Sequence, residues 1–159
     1  MTLRGWLIML GVACAALTLI LIFYRENRFQ GKPATVIEVL DCQNMVLKAP
    51  AFERAIRVNL NAVSCPDITQ PFGVQARNFT YDRVMNKDVL YKIDSLSKDA
   101  KVLYVEIGLP GLSTFLTNAA SLSEELIKAG LATSRDPDLQ DLQNQAKAAG
   151  RGMWTGAPK

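Results

Sequence analysis

A stretch in the first half of the chain has the composition of a functional loop. Residues 59–67, Asn-Leu-Asn-Ala-Val-Ser-Cys-Pro-Asp, end a strand-like run, turn at a proline and place an acid directly after it. Loops held by a rigid scaffold are where catalytic and binding residues concentrate. Most side chains in this stretch, however, are amides or small neutral groups. The chain also contains no histidine, which excludes Ser-His-Asp triads, Cys-His nucleophiles and histidine-dependent zinc sites.

The loop lies among segments that have the composition of β-strands. These segments are rich in β-branched and aliphatic residues and are separated by turn-forming residues. In the segment that leads into the loop, Ile56, Val58 and Leu60 alternate with polar residues, which predicts a half-buried strand. The five predicted strands are residues 34–40, 45–49, 51–63, 88–96 and 101–108.

Three other segments have helical patterns, at residues 72–86, 121–130 and 136–150. In the first, Val74 and Val84 belong to the apolar face that is predicted to pack on the core. Ser121 and Glu124 predict a capping box at the start of the second, and Asp136 caps the third. The order β-β-β-α-β-β-α-α favours a five-stranded closed barrel of the OB type with about three helices. A small α+β sandwich is the alternative.

The N-terminal segment has the composition of a membrane anchor. Residues 5–24 include one polar side chain, Thr18, and no charge. As a helix they would extend roughly 30 Å, which is the thickness of a bilayer's hydrocarbon core. A cleavable signal peptide is the alternative, but no small-x-small cleavage site follows the apolar run before the charged residues 25–28. We therefore predict two parts, a single transmembrane helix with its stalk at residues 1–30 and a folded domain at residues 31–159.

The charge of the folded part gives no indication of a nucleic-acid partner. The whole chain has 18 basic and 15 acidic residues, and removal of Arg4, Arg25, Arg28 and Glu26 leaves 15 basic and 14 acidic residues from position 31 onward. Proteins that bind nucleic acid through electrostatics normally have a clear basic excess. The composition therefore makes nucleic acid an unfavoured partner.

Four sequence segments resemble the staphylococcal nuclease-like (thermonuclease) family, and they occur in the same order. ATVIEVLDCQNMVLK (34–48) resembles its opening hairpin, and RVNLNAVSCPD (57–67) resembles its third strand and the following loop. SLSEELIKAGLA (121–132) and AKAAGRGMW (146–154) resemble its second helix and its C-terminal signature. The resemblance implies an OB-fold and, in active members, calcium-dependent hydrolysis of phosphodiesters.

The resemblance implies that the metal site of this chain is degenerate. In the family, carboxylates hold a Ca²⁺ ion that polarises the phosphate. The first of these carboxylates falls on Gln43, the second on Ser64, and a neighbouring carbonyl ligand falls on Cys65. Neither side chain at the two carboxylate positions carries a charge, so we expect no metal and no cofactor.

The catalytic positions implied by the resemblance are also altered. The strand arginine falls on Asn59, although Arg57 lies two residues earlier, and the glutamate that assists water falls on Asp67. The second arginine falls near Lys101. An amide cannot form the fixed bidentate phosphate clamp of an arginine. For Asp67, an Asx-turn or surface role is the alternative to a remnant acid.

Cys42 and Cys65 fall on the two loops that flank the former metal position. A disulfide between them would join these loops and would imply an oxidising compartment. Two separate buried thiols are the alternative, because pairing cannot be read from sequence.

Together these observations predict a membrane-anchored, catalytically inactive nuclease-like domain, not an enzyme. Its expected partners are the membrane and other protein subunits, for which it would be a structural or accessory subunit of a larger complex. By analogy alone, a mitochondrial respiratory complex in the inner membrane is one candidate location. The alternatives are a membrane-tethered, divalent-metal-dependent nuclease and a tethered nucleic-acid-binding OB domain.

Overall fold

A computed structural model describes residues 14, 15, 18, 31–97, 102–109 and 120–155. Cys14, Ala15 and Thr18 are helical, and the Thr18 hydroxyl donates to the carbonyl oxygens of Cys14 (3.0 Å) and Ala15 (2.8 Å). The rest of the predicted anchor and stalk lies outside the described residues. Among the residues described, no helix is both long enough and apolar enough to cross a bilayer.

The folded part is a small β-barrel with helices packed against it. Its strands are β1 (Lys32–Val39), β2 (Asn44–Lys48), β3 (Ile56–Leu60), β4 (Val63–Ser64), β5 (Asp88–Leu96), β6 (Leu103–Leu109), β7 (Ala120–Ser121) and β8 (Thr133–Ser134). Its helices within residues 31–155 are α1 (Gly73–Val84), α2 (Leu122–Lys128), α3 (Gln140–Ala148) and two short 3₁₀ turns, Pro137–Leu139 and Gly152–Trp154.

The five long strands close on themselves. They lie in the order β3-β2-β1-β5-β6, and β3 also pairs in parallel with β6 through Val58 and Leu103. Closure removes the exposed strand edges that an open sheet would present. The predicted five-stranded OB-type barrel with three helices is therefore confirmed over the described residues, and the open α+β sandwich is not observed.

Alternating apolar side chains fill the barrel, as the strand pattern predicts. Val36, Met45, Leu47, Val58 and Ile107 are completely buried. Tyr91 lies among them, 6.2 Å between ring centroids from Phe52 in the connection between β2 and β3. At about 25 cal/mol per Å² of apolar surface, burial of such side chains is the main stabilising contribution.

The predicted strand over residues 51–63 is shorter in the structure. β3 covers Ile56–Leu60, residues 61–62 form a turn, and β4 follows at Val63–Ser64. The expected outward-facing Asn59 is only 8% exposed. The reason is long-range, since β3 pairs with β2 on one side and with β6 on the other.

Helix α1 packs on the barrel through a different face from the one predicted. Gly73, Ala76, Thr80 and Val84 are buried, whereas Val74 is 53% exposed. The prediction for Val84 is correct, and the prediction for Val74 is wrong. Gly73 is constrained by sterics, because a Cβ at this position would collide with the backbone carbonyl of Asp67.

We expect two matched substitutions in α1 to have very different effects. Val84→Ala should lower the free energy of unfolding by about 2 kcal/mol, because it leaves a void in the packed core. Val74→Ala should change it by less than about 0.5 kcal/mol, because that side chain is mostly in water. Chemical denaturation of both variants measures the difference. Equal destabilisation by the two variants would contradict this packing.

The two C-terminal helices begin differently. Ser121 is at the N-cap of α2, but its side chain forms no capping hydrogen bond and its Oγ is buried without a partner. The predicted capping box is therefore wrong. Asp136 does cap the following segment, since its Oδ1 accepts from the Asp138 backbone N–H at 3.0 Å. Pro137 then begins a 3₁₀ turn that continues into α3.

Candidate functional site

The turn between β1 and β2 is held by one carboxylate. Asp41 Oδ1 accepts from the backbone N–H groups of Gln43 (2.8 Å) and Asn44 (2.7 Å). Its Oδ2 accepts from the Asn44 side-chain amide at 2.7 Å. Both oxygens of Asp41 therefore stabilise the turn itself, which is the usual role of an Asx residue in this position.

Two links connect this turn to the loop that follows β4. Cys42 and Cys65 form a disulfide with their Cα atoms 6.1 Å apart. Beside it, Gln43 Oε1 accepts from the Cys65 backbone N–H at 3.2 Å. The sequence left open whether these cysteines pair, and the structure places them together. The turn and the loop are thus joined by a covalent bond and a neutral hydrogen bond.

Ser64, where the resemblance places the second carboxylate, faces a cation. Its Oγ accepts from Arg135 Nη2 at 3.2 Å, and its carbonyl accepts from the Thr133 hydroxyl at 3.2 Å. Pairing of β4 with β8 brings these residues together across about 70 positions of the chain. Sequence reasoning missed Arg135, because nothing in its local pattern indicates a partner so far away.

Asn59 belongs to a hydrogen-bonded chain that begins at Asp41. Its Nδ2 donates to Asn44 Oδ1 at 2.7 Å, and Asn44 in turn donates to Asp41. Its own Oδ1 is buried without a hydrogen-bond partner. The residue opposite Asn59 on β6 is Tyr104. Asn59 therefore stabilises the turn through its hydrogen bond to Asn44, and its side chain does not extend into solvent as an arginine would.

The remaining predicted positions are not brought to the turn by described contacts. Arg57 is exposed on β3 opposite Val46. Asp67 is exposed, and its Oδ1 accepts from the backbone N–H and the hydroxyl of Thr69, both at 3.3 Å. This is the Asx-turn alternative considered for that residue. Lys101 lies outside the described residues.

This donor set does not fit calcium. Ca²⁺ takes six to eight oxygen ligands and depends on carboxylates for most of its affinity. Here the oxygen of Gln43 is occupied by a backbone N–H, Ser64 is next to a guanidinium, and Asp41 is committed to the turn. Within the described residues, no cluster of three or more His, Cys, Asp or Glu side chains could hold a metal ion.

A cleft of about 630 Å³ lies beside residues 61–62, between β3 and β4, and the segment that follows β8. Arg135, in that segment, lines the cleft and also contacts Ser64. The ionisable residues lining the cleft are four acids and two bases, namely Asp94, Glu106, Asp136, Asp138, Lys92 and Arg135. The acidic excess makes the cleft unfavourable for a polyanion, since like charges repel at short range.

Burial raises the pKa of Asp94 above its ordinary value of 3.8. Lys92 acts in the opposite direction and Asp136 adds to the increase. The folded protein therefore holds this proton more tightly than the unfolded chain does. The resulting contribution to stability is complete below the ordinary pKa and is lost as the pH rises through the raised one.

We expect Asp94→Asn to show a matching pH dependence. The variant should gain stability relative to the unchanged protein as the pH rises above about 3.8. Urea denaturation of both proteins between pH 3 and pH 6 measures this difference. In an Asp136→Asn background the gain should be smaller, because a neighbouring negative charge is absent. A difference in stability that does not vary with pH would contradict the assignment.

The fold and the site together define the class of protein. A closed five-stranded barrel with the first turn and the β4 loop side by side is the arrangement of a nuclease-like OB domain. A family model for staphylococcal nuclease homologues matches residues 57–156, which is more than half of the chain. The chain belongs to this family. The match begins in β3, and the hairpin β1–β2 completes the barrel before it.

Proposed function

We propose that this protein is a catalytically inactive member of the nuclease family that serves as an accessory subunit of a membrane complex. One observation supports the loss of activity most directly. At the place where the family uses two carboxylates and a divalent cation, this chain has a Gln43–Cys65 hydrogen bond and a disulfide. The bridge keeps the two loops together without supplying the charge that phosphodiester cleavage needs.

The electrostatics of the neighbouring cleft support the same proposal. Its four carboxylates outnumber its two cations. A nucleic-acid strand would bring about one negative charge per nucleotide to this surface, where binding normally depends on Lys and Arg. The replacement of the family's arginine by the buried Asn59 removes a further favourable contact. Binding of nucleic acid at this site is therefore disfavoured as well as its cleavage.

The membrane part of the proposal depends on the sequence of residues 5–24. This segment has the length and apolar composition of a single-pass helix, with Arg4 before it and Arg25 after it. A one-pass anchor followed by a compact domain without a working active site suits a subunit that binds neighbours. A respiratory complex of the mitochondrial inner membrane is one assembly of this kind, proposed by analogy.

Purification of the full-length protein in a mild detergent tests the proposal. We expect it to remain with membranes after alkaline carbonate extraction and to co-migrate with defined partner proteins in the detergent extract. A variant lacking residues 1–30 should be released by carbonate. Release of the full-length protein by carbonate would contradict the proposed membrane anchor. Migration as a lone monomer would contradict the proposed role as a subunit.

A further inference from the structure

The β5–β6 hairpin extends past the end of its neighbour β1. Lys32, the first residue of β1, is opposite Tyr91 of β5. Gly31, the residue before it, lies outside the strand. β5 continues to Leu96 and stays paired with β6 on its other side. Among the residues that the structure describes, positions 92–96 of β5 therefore have a neighbouring strand on one side only.

We call this segment, Lys92–Leu96, the β5 edge. Its five residues are all exposed, and together they extend about 16 Å at the usual strand rise. Closure of the barrel through β3 and β6 does not cover it, because that pairing is on the far side of β6. The backbone N–H and C=O groups of an unpaired strand edge are a template for pairing with an extended segment of another chain.

Two apolar side chains of the β5 edge are in contact with water. Ile93 is 43% exposed and Leu96 is 54% exposed. They are opposite Val105 and Leu103 of β6, and cross-strand partners point to the same side of a sheet. A strand added beside β5 would place every second side chain on this side. Burial of Ile93 and Leu96 therefore favours a partner segment in which alternate residues are apolar.

The charges beside the β5 edge favour a basic partner. Lys92 and Asp94 of the edge line the cleft, together with three more carboxylates and Arg135. None of these six ionisable groups belongs to an ion pair found in the described part of the chain. The acidic excess of the cleft is therefore not neutralised by such pairs. A basic side chain on a strand next to Asp94 would reduce this excess.

We propose that the β5 edge binds an extended segment of a partner protein in which apolar and basic residues alternate. The inference rests on the proposed role as a subunit, for which it names the binding surface and the chemistry of the partner. Backbone hydrogen bonds to β5 hold the segment in place. Its apolar side chains cover Ile93 and Leu96, and its basic side chains lie beside Asp94 at the cleft. An acidic segment is rejected, because it brings like charges together.

Binding of synthetic peptides to the full-length protein in a mild nonionic detergent tests the proposal. The probe is a fluorescent octapeptide of alternating lysine and valine. One control peptide has glutamate in place of lysine. The other is the lysine peptide with N-methylated backbone amides, which keeps the charge but cannot pair as a strand. By fluorescence anisotropy we expect saturable binding of the probe and at least about tenfold weaker binding of both controls, because the first meets like charges and the second loses several hydrogen bonds.

Hydrogen exchange and a charge variant locate the bound peptide. We expect the probe to slow exchange of backbone amides in residues 92–96 and to leave those of α1 unchanged. Asp94→Lys should weaken binding of the probe roughly fivefold, because an attractive exposed pair becomes a repulsive one. The matched control is Asp88→Lys, which changes an exposed acid of the same strand in the part that pairs with β1, and it should leave binding unchanged. Equal losses in the two variants would show a general charge effect and overturn the assignment.

The outcomes distinguish this inference from the proposed function. Equal binding of the methylated and unmethylated lysine peptides would show charge attraction without strand pairing and would overturn the inference. Binding of neither would show that the charges and the irregular register at residues 93–95 block the edge, which would also overturn it. Slow exchange at residues 92–96 before any peptide is added would overturn it as well, because the chain itself would then cover the edge. A lone monomer that still binds the probe at residues 92–96 would support the binding surface and contradict the role as a subunit.

Discussion

The full-length protein should leave DNA and RNA intact in the presence of Ca²⁺, Mg²⁺ or Mn²⁺. We expect cleavage at least about 10⁴-fold slower than that of a family nuclease with its carboxylates and arginines in place. Removal of a single group that stabilises developing charge already costs about 10² to 10³ in rate. The resemblance places Gln43 and Ser64 at the positions of both carboxylates and Asn59 at the position of an arginine. Even if the effects of these three differences are less than additive, their combined effect on the rate should be large.

The control for this experiment is an active family nuclease in the same detergent and buffer. Any residual cleavage should be insensitive to Asp67→Ala, because Asp67 serves an Asx-turn with Thr69. Divalent-ion-dependent cleavage that Asp67→Ala abolishes would show instead a tethered nuclease with a displaced metal.

Removal of the disulfide should cause the largest loss of stability. The bond between Cys42 and Cys65 closes a segment with a sequence separation of 23 residues. A loop of this length restricts the unfolded chain by about 3 kcal/mol. We expect Cys42→Ala combined with Cys65→Ala to lower the Tm of the domain by roughly 10 °C, since 1 kcal/mol corresponds to a few degrees in a domain of this size.

The comparison requires a cysteine control and a chemical control. Cys14→Ser should leave the Tm of the domain unchanged, because Cys14 is outside the barrel and is not bridged. Reduction of the unchanged protein should reproduce the destabilisation of the double variant. An unchanged Tm in the double variant would mean that the Gln43–Cys65 hydrogen bond and the core hold the loop without the disulfide.

The barrel could be predicted from sequence because its signals are local. The β-branched runs, the turn around Asp41 and the capping residue Asp136 each act within a few positions of the chain. Their order then limits the topology to a small set of folds. The prediction that Val84 faces the core was correct for the same reason, because residues three or four positions apart lie on the same face of a helix.

The errors arose where distant segments decide the outcome. Asn59 has the pattern of an outward-facing residue, yet closure of β3 on β6 and the amide of Asn44 bury it. Val74 has helical spacing but remains exposed, because Gly73 packs directly on the backbone of Asp67 and sets the rotation of α1. Arg135 contacts Ser64 only because β8 pairs with β4. None of these contacts has a local signature.

Calorimetric titration of the full-length protein with Ca²⁺ measures whether the bridged turn and loop bind the ion. We expect no saturable heat at millimolar calcium, because the Gln43 side chain and the disulfide join the turn to the loop without a carboxylate between them. Gln43→Asp combined with Ser64→Asp should gain calcium binding and, at a saturating excess, about 1 to 3 kcal/mol of stability. Gln43→Asn with Ser64→Asn, equal in size but uncharged, should gain neither. A saturable calcium isotherm for the unchanged protein would show that the site still holds the ion and would contradict the proposed loss of the metal site.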